Sequence, residues 1–265
     1  MLIHKKTLAG EARFEGLALH GGEPVVVTVR PGENGIRFWT PNGMVEAKPE
    51  NVTETRRCTK LGELSTIEHL MSAFAGLEIT DADVEVDGFE MPAMDGAASE
   101  YAVGLLRAGL VDRGDVEQRT PFKRSYVVEG EAKVAVSFGH GHWRYEFVSA
   151  DKWPYSQVFE LDNLPAGYVE QIAPARTWGF ESELPMLKAA GLAKGLDLEK
   201  ALVLGAEGYV NQPLFPDEPA RHKLLDLMGD LYLAGIPVRY LNVVAERSGH
   251  ELNVRAAAHL LATMA

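Results

Sequence analysis

The chain has 265 residues, 46% of them hydrophobic and 24% charged, an ordinary composition that allows one large domain or two small ones. Its formal net charge of −12 excludes a generalised basic surface for DNA or RNA, so an anionic ligand would need a local basic cluster. No apolar run approaches the length of a membrane span, the start lacks the apolar core of a signal peptide, and the single cysteine, Cys58, cannot form an internal disulfide. These features predict a cytoplasmic protein with no transmembrane segment.

The first half of the chain predicts strands and helices in turn. Segments 23–29 and 81–86 alternate apolar and polar residues, as half-buried strands do. Segment 66–77, TIEHLMSAFAGL, has apolar residues at helical spacing, and a second helix is predicted over 99–110. Ser65 and Glu68 have the spacing of a capping box at the start of the first helix.

The polar segment VDRGDVEQRTP, residues 111–121, contains a glycine and ends in Pro121. This composition is typical of a linker. It predicts a first domain over 1–113 and a second over 122–265.

The second half follows a similar order, although its sequence does not repeat the first. Because strands and helices recur in both halves, the predicted fold class is α+β, with two halves of similar size. Pro185 is expected in the first turn of its helix. The predicted strands are 133–139, 143–149, 199–205, 208–211 and 238–246, and the predicted helices are 181–192, 219–235 and 251–264.

A histidine and two carboxylates share one face of the helix over 219–235. His222 and Asp226 are four residues apart, and Asp230 continues the stripe. Two side chains one turn apart can bind one metal ion. The alternative is an exposed His–Asp pair on a solvated helix face.

Catalytic zinc usually has three protein ligands, and His69 is the candidate for the third, arriving from the other half. Glu68 beside it would then act as general base towards a water molecule. The capping-box interpretation competes for the same carboxylate.

The segment ERSGHELN, residues 246–253, also has a capping-box spacing, from Ser248 to Glu251. His250 falls in the first helical turn. One interpretation is a proton donor kept charged by a carboxylate such as Asp230, and the other is a surface histidine at a helix start. His20, before a Gly-Gly turn, is a candidate for the border of a site, and Cys58 is predicted to be an ordinary strand residue.

Taken together, these segments resemble a known family, the zinc-dependent UDP-3-O-acyl-N-acetylglucosamine deacetylases of lipid A biosynthesis. The combination of TIEHL, RHKLLDLMGD and SGHELN, in that order, is highly specific. Further matching stretches extend the resemblance over nearly the whole chain: GLALHGGEPVVVTVRP, FEMPAMDGAASEY, PARTWGF and GLAKGLDLEKALVLGAEGYVN.

The resemblance implies two similar two-layer α+β sandwich domains with the zinc site between them. Each domain would carry a small insert, made of strands within about 35–64 in the first and lying near 182–211 in the second. In the family, the second insert forms an apolar passage for the acyl chain of the substrate. The implied activity is hydrolysis of the N-acetyl group of an acylated UDP-amino-sugar.

The resemblance also carries over residue by residue. The metal ligands of the family fall on His69, His222 and Asp226. The catalytic positions are Glu68 as general base, His250 as catalytic histidine, Asp230 as its partner and Thr177 as an oxyanion contact. Lys223 matches a substrate contact near the metal. Because Lys223 and Arg247 flank the catalytic residues in sequence, both are predicted to bind the diphosphate of the substrate, with a solvated side chain as the alternative for Arg247.

The sequence departs from the family pattern at two places that the resemblance associates with substrate recognition. Segment 149–159 reads SADKWPYSQVF where the family often carries an N-H-P segment, and Trp178 replaces a phenylalanine. The sequence therefore leaves open the identities of the acyl chain and of the sugar in the substrate. The alternatives are a related zinc deacetylase acting on another N-acetylated sugar, or a non-catalytic sugar-nucleotide-binding homologue. A monomer is expected.

Overall fold

Each half of the chain is built on its own five-stranded sheet. The computed structural model describes residues 1–120 and 124–264. The strands are β1 Leu2–Leu8, β2 Ala12–Leu17, β3 Pro24–Pro31, β4 Ile36–Thr40, β5 Gly43–Glu46, β6 Val52–Glu54, β7 Lys60–Leu61, β8 Ala82–Val86, β9 Leu110–Glu117, β10 Arg124–Glu129, β11 Ala132–Phe138, β12 Trp143–Val148, β13 Ser156–Leu161, β14 Thr177–Phe180, β15 Ala201–Leu204 and β16 Leu241–Glu246. The helices are α1 Glu68–Leu77, α2 Ser99–Ala108, α3 Tyr168–Gln171, α4 Leu184–Ala189, α5 Glu218–Tyr232 and α6 His250–Ala262.

The two sheets have the same topology. The first has the order β2-β3-β8-β4-β5 and the second β10-β11-β16-β12-β13. In both, the last strand in sequence lies at the centre, antiparallel to one neighbour and parallel to the other. Helices pack on the sheets, which confirms the predicted α+β fold class, and the domain boundaries at 113 and 122 stay a prediction.

The alternating patterns explain why these segments form strands with one buried face. Along β12, Trp143, Tyr145 and Phe147 are buried while the residues between them are partly exposed. Side chains alternate between the two faces of a strand, so this pattern directs the aromatic rings towards the helices. The resulting core is one continuous cluster that contains residues of both halves, including Phe74 and Trp143.

The helices α1 and α5 hold the two halves together. All ten residues of α1 are buried, and the helix packs against α5 and α2. A Cβ atom at Gly229 of α5 would lie 2.1 Å from the carbonyl oxygen of Glu68 and 3.0 Å from the Ser72 nitrogen. Glycine therefore permits direct contact between the two helix backbones.

Three sequence predictions are wrong in part. Much of the predicted linker is a strand, since β9 pairs antiparallel with β1 from Leu8–Leu110 to Leu2–Glu117, and Pro121 lies outside the described residues. Of the strands expected to form the first insert, β4 and β5 belong to the main sheet, and β6 and β7 alone form a separate pair. Segment 208–211 makes a single bridge, from Tyr209 to Leu204, instead of a strand.

The remaining predicted elements are found with shifted ends. Pro185 and Pro219 lie in the first turns of α4 and α5, where the missing N–H has no helical partner to lose. The second insert contains α4 and β15, and β15 pairs in parallel with β14, which precedes the insert. Over residues 1–120 and 124–264, no helix combines the length and the apolar character that crossing a membrane requires.

Candidate metal centre and catalytic cavity

The packing of α1 on α5 brings His69, His222 and Asp226 together. Their ligand atoms all lie within 4.8 Å of one another, and all three residues are buried. The Nε2 atoms of His69 and His222 lie 3.8 and 3.5 Å from Oδ1 of Asp226. Two imidazole nitrogens and one carboxylate oxygen around one point match the donor set of a catalytic zinc site.

The protonation states of these residues suit metal binding. His222 donates its Nδ1–H to the carbonyl oxygen of Ala175 at 3.0 Å, which leaves the Nε2 lone pair free for a metal. Burial lowers the pKa of His222, and it lowers the pKa of His69 to about 3, so both rings are neutral. Burial opposes the charge of Asp226, but Lys223 and the neighbouring histidines outweigh it and hold the pKa of Asp226 well below its usual range.

Glu68 points into the site and does not cap its helix. Helix α1 begins at Glu68 with Ile67 in the N-cap position and without a side-chain cap, so the predicted capping box with Ser65 is wrong. Oε2 of Glu68 accepts a hydrogen bond from the main-chain N–H of Thr59 at 3.0 Å. Burial raises the pKa of Glu68 to about 8.

His250 faces Glu68 from the start of α6. Its Nε2 lies 3.9 Å from Oε1 of Glu68, and its Nδ1 lies 3.0 Å from Oδ2 of Asp230. Burial opposes protonation of the ring, but the adjacent Asp230 carboxylate outweighs it and raises the pKa of His250 to about 9. The predicted capping box at Ser248 is also wrong, because the N-cap residue is Gly249 and it makes no side-chain cap bond.

The sequence did not predict two residues that donate hydrogen bonds to Asp230. Thr59 donates its hydroxyl to Oδ1 of Asp230, and Asn253 donates its side-chain amide to Oδ2 at 3.0 Å. Asn253 is three residues after His250, so helical spacing alone places both on one face of α6. Thr59 comes from the turn before β7, and its approach to Asp230 depends on the contact between the halves.

A cavity of about 360 Å³ opens beside these groups. Thr177, at the start of β14, and Lys223 line it together with Glu68 and His250. Nζ of Lys223 lies 2.8 Å from Oδ2 of Asp226. Burial works against the charge of Lys223, but Asp226 outweighs it and raises the pKa of Lys223 above its usual range.

The structure does not bring Arg247 into this group of residues. Its guanidinium pairs with Glu131 and lies 4.0 Å from a carboxylate oxygen of Glu246. Arg247 is also absent from the described lining of the cavity, which does include His20 and Trp178. Cys58 lies in the turn between β6 and β7, not in a strand as predicted, and burial raises the pKa of its thiol to about 12.

The chain matches one protein family over nearly its whole length. The family described as UDP-3-O-acyl N-acetylglycosamine deacetylase matches residues 5–262. A UDP-3-O-acyl-N-acetylglucosamine deacetylase of Geobacter sp. (strain M21) is 37% identical over 274 residues, covering 98% of this chain and 90% of the relative. Proteins of the same name are 34% identical in Chromohalobacter salexigens, covering 98% of this chain and 91% of the relative, and 35% identical in Thermosynechococcus vestitus, covering 96% and 92%.

Proposed function

Since the chain belongs to the UDP-3-O-acyl-N-acetylglucosamine deacetylase family, we propose that it hydrolyses the N-acetyl group of UDP-3-O-acyl-N-acetylglucosamine. The products are acetate and the free amine, and the reaction belongs to lipid A biosynthesis. The observation that supports this function most is that a buried His–His–Asp cluster, Glu68 and His250 border one cavity.

The proposed cofactor is Zn²⁺, bound by His69, His222 and Asp226. The donor set fits, because two neutral imidazoles and one ionised carboxylate leave a further tetrahedral position open. When bound, zinc would supply Lewis-acid polarisation of the acetyl carbonyl and activation of water.

The proposed proton transfers use Glu68 and His250, two ionisable residues that face each other in the cavity. Glu68 is the general base that accepts a proton from the attacking water, and Thr59 holds its carboxylate in place. His250 is the general acid, and Asp230 keeps it protonated so that it delivers a proton to the leaving amine.

The proposed oxyanion contacts come from two further residues of the cavity lining. Thr177 and Lys223 both line the cavity, so a hydroxyl and an ammonium group are available to the oxygen on which negative charge develops. The diphosphate role of Arg247 stays a prediction, and its guanidinium pairs with Glu131. A cytoplasmic location and a monomeric state stay predictions.

Mass spectrometry of acetate release tests the function. The zinc-loaded protein is incubated with UDP-3-O-acyl-N-acetylglucosamine and, separately, with UDP-N-acetylglucosamine. We expect release from the acylated substrate and much less from the other. Equal release from both would indicate a related deacetylase of different specificity, and release from neither, with zinc bound, would contradict the proposed function.

A further inference from the structure

An arginine at the edge of the cavity has no carboxylate partner among the residues that the structure describes. Arg57 lies in the turn between β6 and β7, lines the cavity and is exposed. Among residues 1–120 and 124–264, the side-chain contact of its guanidinium is Nη2 to Sδ of Met186, at 3.8 Å. The guanidinium group carries five N–H donors, which are available here to a ligand that enters the cavity.

The other charges on the cavity wall are already paired. Lys223 pairs with Asp226 at 2.8 Å, and Glu183 pairs with Lys152 at 3.4 Å. Glu68 faces His250. Arg57 is therefore the cation of the described lining whose charge is not offset by a carboxylate, in a chain with a net charge of −12.

The backbone of Arg57 is in an uncommon conformation. Its φ angle is +66°, a left-handed conformation that few residues other than glycine adopt readily. The side chain of the neighbouring Arg56 is 87% exposed and pairs with Glu54 at the end of β6. The turn thus presents one arginine to solvent and the other to the cavity.

Met186 places Arg57 between the two inserted elements. Met186 belongs to α4 of the second half, whereas Arg57 belongs to the β6–β7 turn of the first half. Leu187 of α4 also lines the cavity. A guanidinium at this junction borders both the reaction centre and the open side of the cavity.

We propose that Arg57 binds the diphosphate of the substrate and thereby selects nucleotide-linked sugars. This inference rests on the proposed function, since it takes a UDP-sugar as the substrate. The planar guanidinium presents a fork of N–H donors that matches two phosphate oxygens at once. Arg57 is therefore a further candidate for the role that the sequence predicts for Arg247, whose guanidinium pairs with Glu131.

The test compares Arg57→Gln with the matched control Arg56→Gln in the zinc-loaded protein. Hydrogen bonds to charged groups contribute enough that Arg57→Gln should raise KM for UDP-3-O-acyl-N-acetylglucosamine by about tenfold or more, with kcat changed by less than about twofold. Arg56→Gln should leave both constants unchanged. Arg57→Lys keeps the positive charge but not the forked guanidinium, so its KM should lie between those of the parent and of Arg57→Gln.

Calorimetric binding of UDP and of uridine separates this inference from the activity. Arg57→Gln should weaken the binding of UDP by a similar factor and leave that of uridine unchanged, and the difference should shrink as salt is added. Should Arg57→Gln fold poorly, Arg57→Gly provides the same loss of charge in a residue that adopts a positive φ without strain.

The outcomes distinguish the two proposals. If the parent protein releases acetate but Arg57→Gln or Arg57→Gly binds UDP as tightly as the parent, the role of Arg57 is wrong and the function stands. If the parent protein releases no acetate but binds UDP, and Arg57→Gln weakens that binding, the nucleotide contact stands and the deacetylase function fails.

Discussion

Glu68, His250 and Asp230 are adjacent ionisable side chains whose protonation depends on burial and on their neighbours. Burial favours the neutral form of Glu68, while the Asp230 carboxylate favours the charged form of His250. A general base is most effective when its pKa lies near the working pH, as the pKa of about 8 for Glu68 does. The proposed base and the proposed acid therefore belong to one buried network.

Glu68→Gln removes the base and keeps the shape of the side chain. We expect kcat to fall by about 10²–10⁴-fold, the usual contribution of general base catalysis, while zinc binding persists. Steady-state kinetics together with metal analysis checks this. Glu63→Gln, a change at an exposed position, is the control, and a fully active Glu68→Gln enzyme would remove Glu68 from the mechanism.

Asp230→Asn should change the pH dependence of kcat/KM. Because Asp230 raises the pKa of His250, neutralising it lowers that pKa, and the alkaline limb of the pH profile should move to lower pH. Asp162→Asn is the matched control, since Asp162 pairs with the exposed His142 at 2.7 Å away from the cavity. An alkaline limb that stays in place would exclude His250 as the titrating acid.

At the scale of secondary structure, α1 shows what the sequence predicted and what it did not. Apolar spacing predicted the helix, and the adjacency of Glu68 and His69 suggested a ligand beside a base. The capping boxes at Ser65 and Ser248 were wrong because their motif fixes spacing only, and Glu68 is drawn inwards by the N–H of Thr59. That N–H comes from a different segment, and local spacing carries no information about it.

Gly229→Ala should separate α1 from α5. The added Cβ would lie 2.1 Å from the carbonyl oxygen of Glu68, which is main chain and cannot rotate away. We expect a loss of about 1–3 kcal/mol in the free energy of unfolding, seen as a lower Tm, together with lower activity because Glu68 and His69 move. Gly208→Ala, where a Cβ meets nothing within 4 Å, is the control. Equal Tm values for the two variants would contradict the close helix contact.

At the scale of the whole molecule, two halves with sheets of one topology contribute residues to one candidate metal site in the described part of the chain. The sequence revealed the similar order of elements but no repeat, because topology depends on the pattern of apolar residues and not on their identity. The sequence also could not predict where the side chains of Arg57 and Arg247 lie. The positions of their guanidinium groups depend on the turn between β6 and β7 and on the ion pair with Glu131.

Removing the metal should weaken the whole protein, because His69 comes from the first half and His222 from the second. A ligand present at about 1,000 times its Kd adds about 4 kcal/mol to the free energy of unfolding. Calorimetry with zinc and with a chelator should therefore show a higher Tm in zinc. His69→Ala and His222→Ala should each abolish the difference, and His142→Ala should retain it. A metal-independent Tm in the parent would contradict a site shared between the halves.

The sharing of ligands between α1 and α5 has a consequence for biosynthesis. Domains fold in order as the chain leaves the ribosome, so the first sheet and α1 can form before α5 has been translated. At that stage His69 has neither of its partner ligands, and Glu68 has no His250 to face. A nascent chain that ends before α5 is thus inactive however well its first half has folded, and the enzyme acquires its chemistry only when the second half closes over the first.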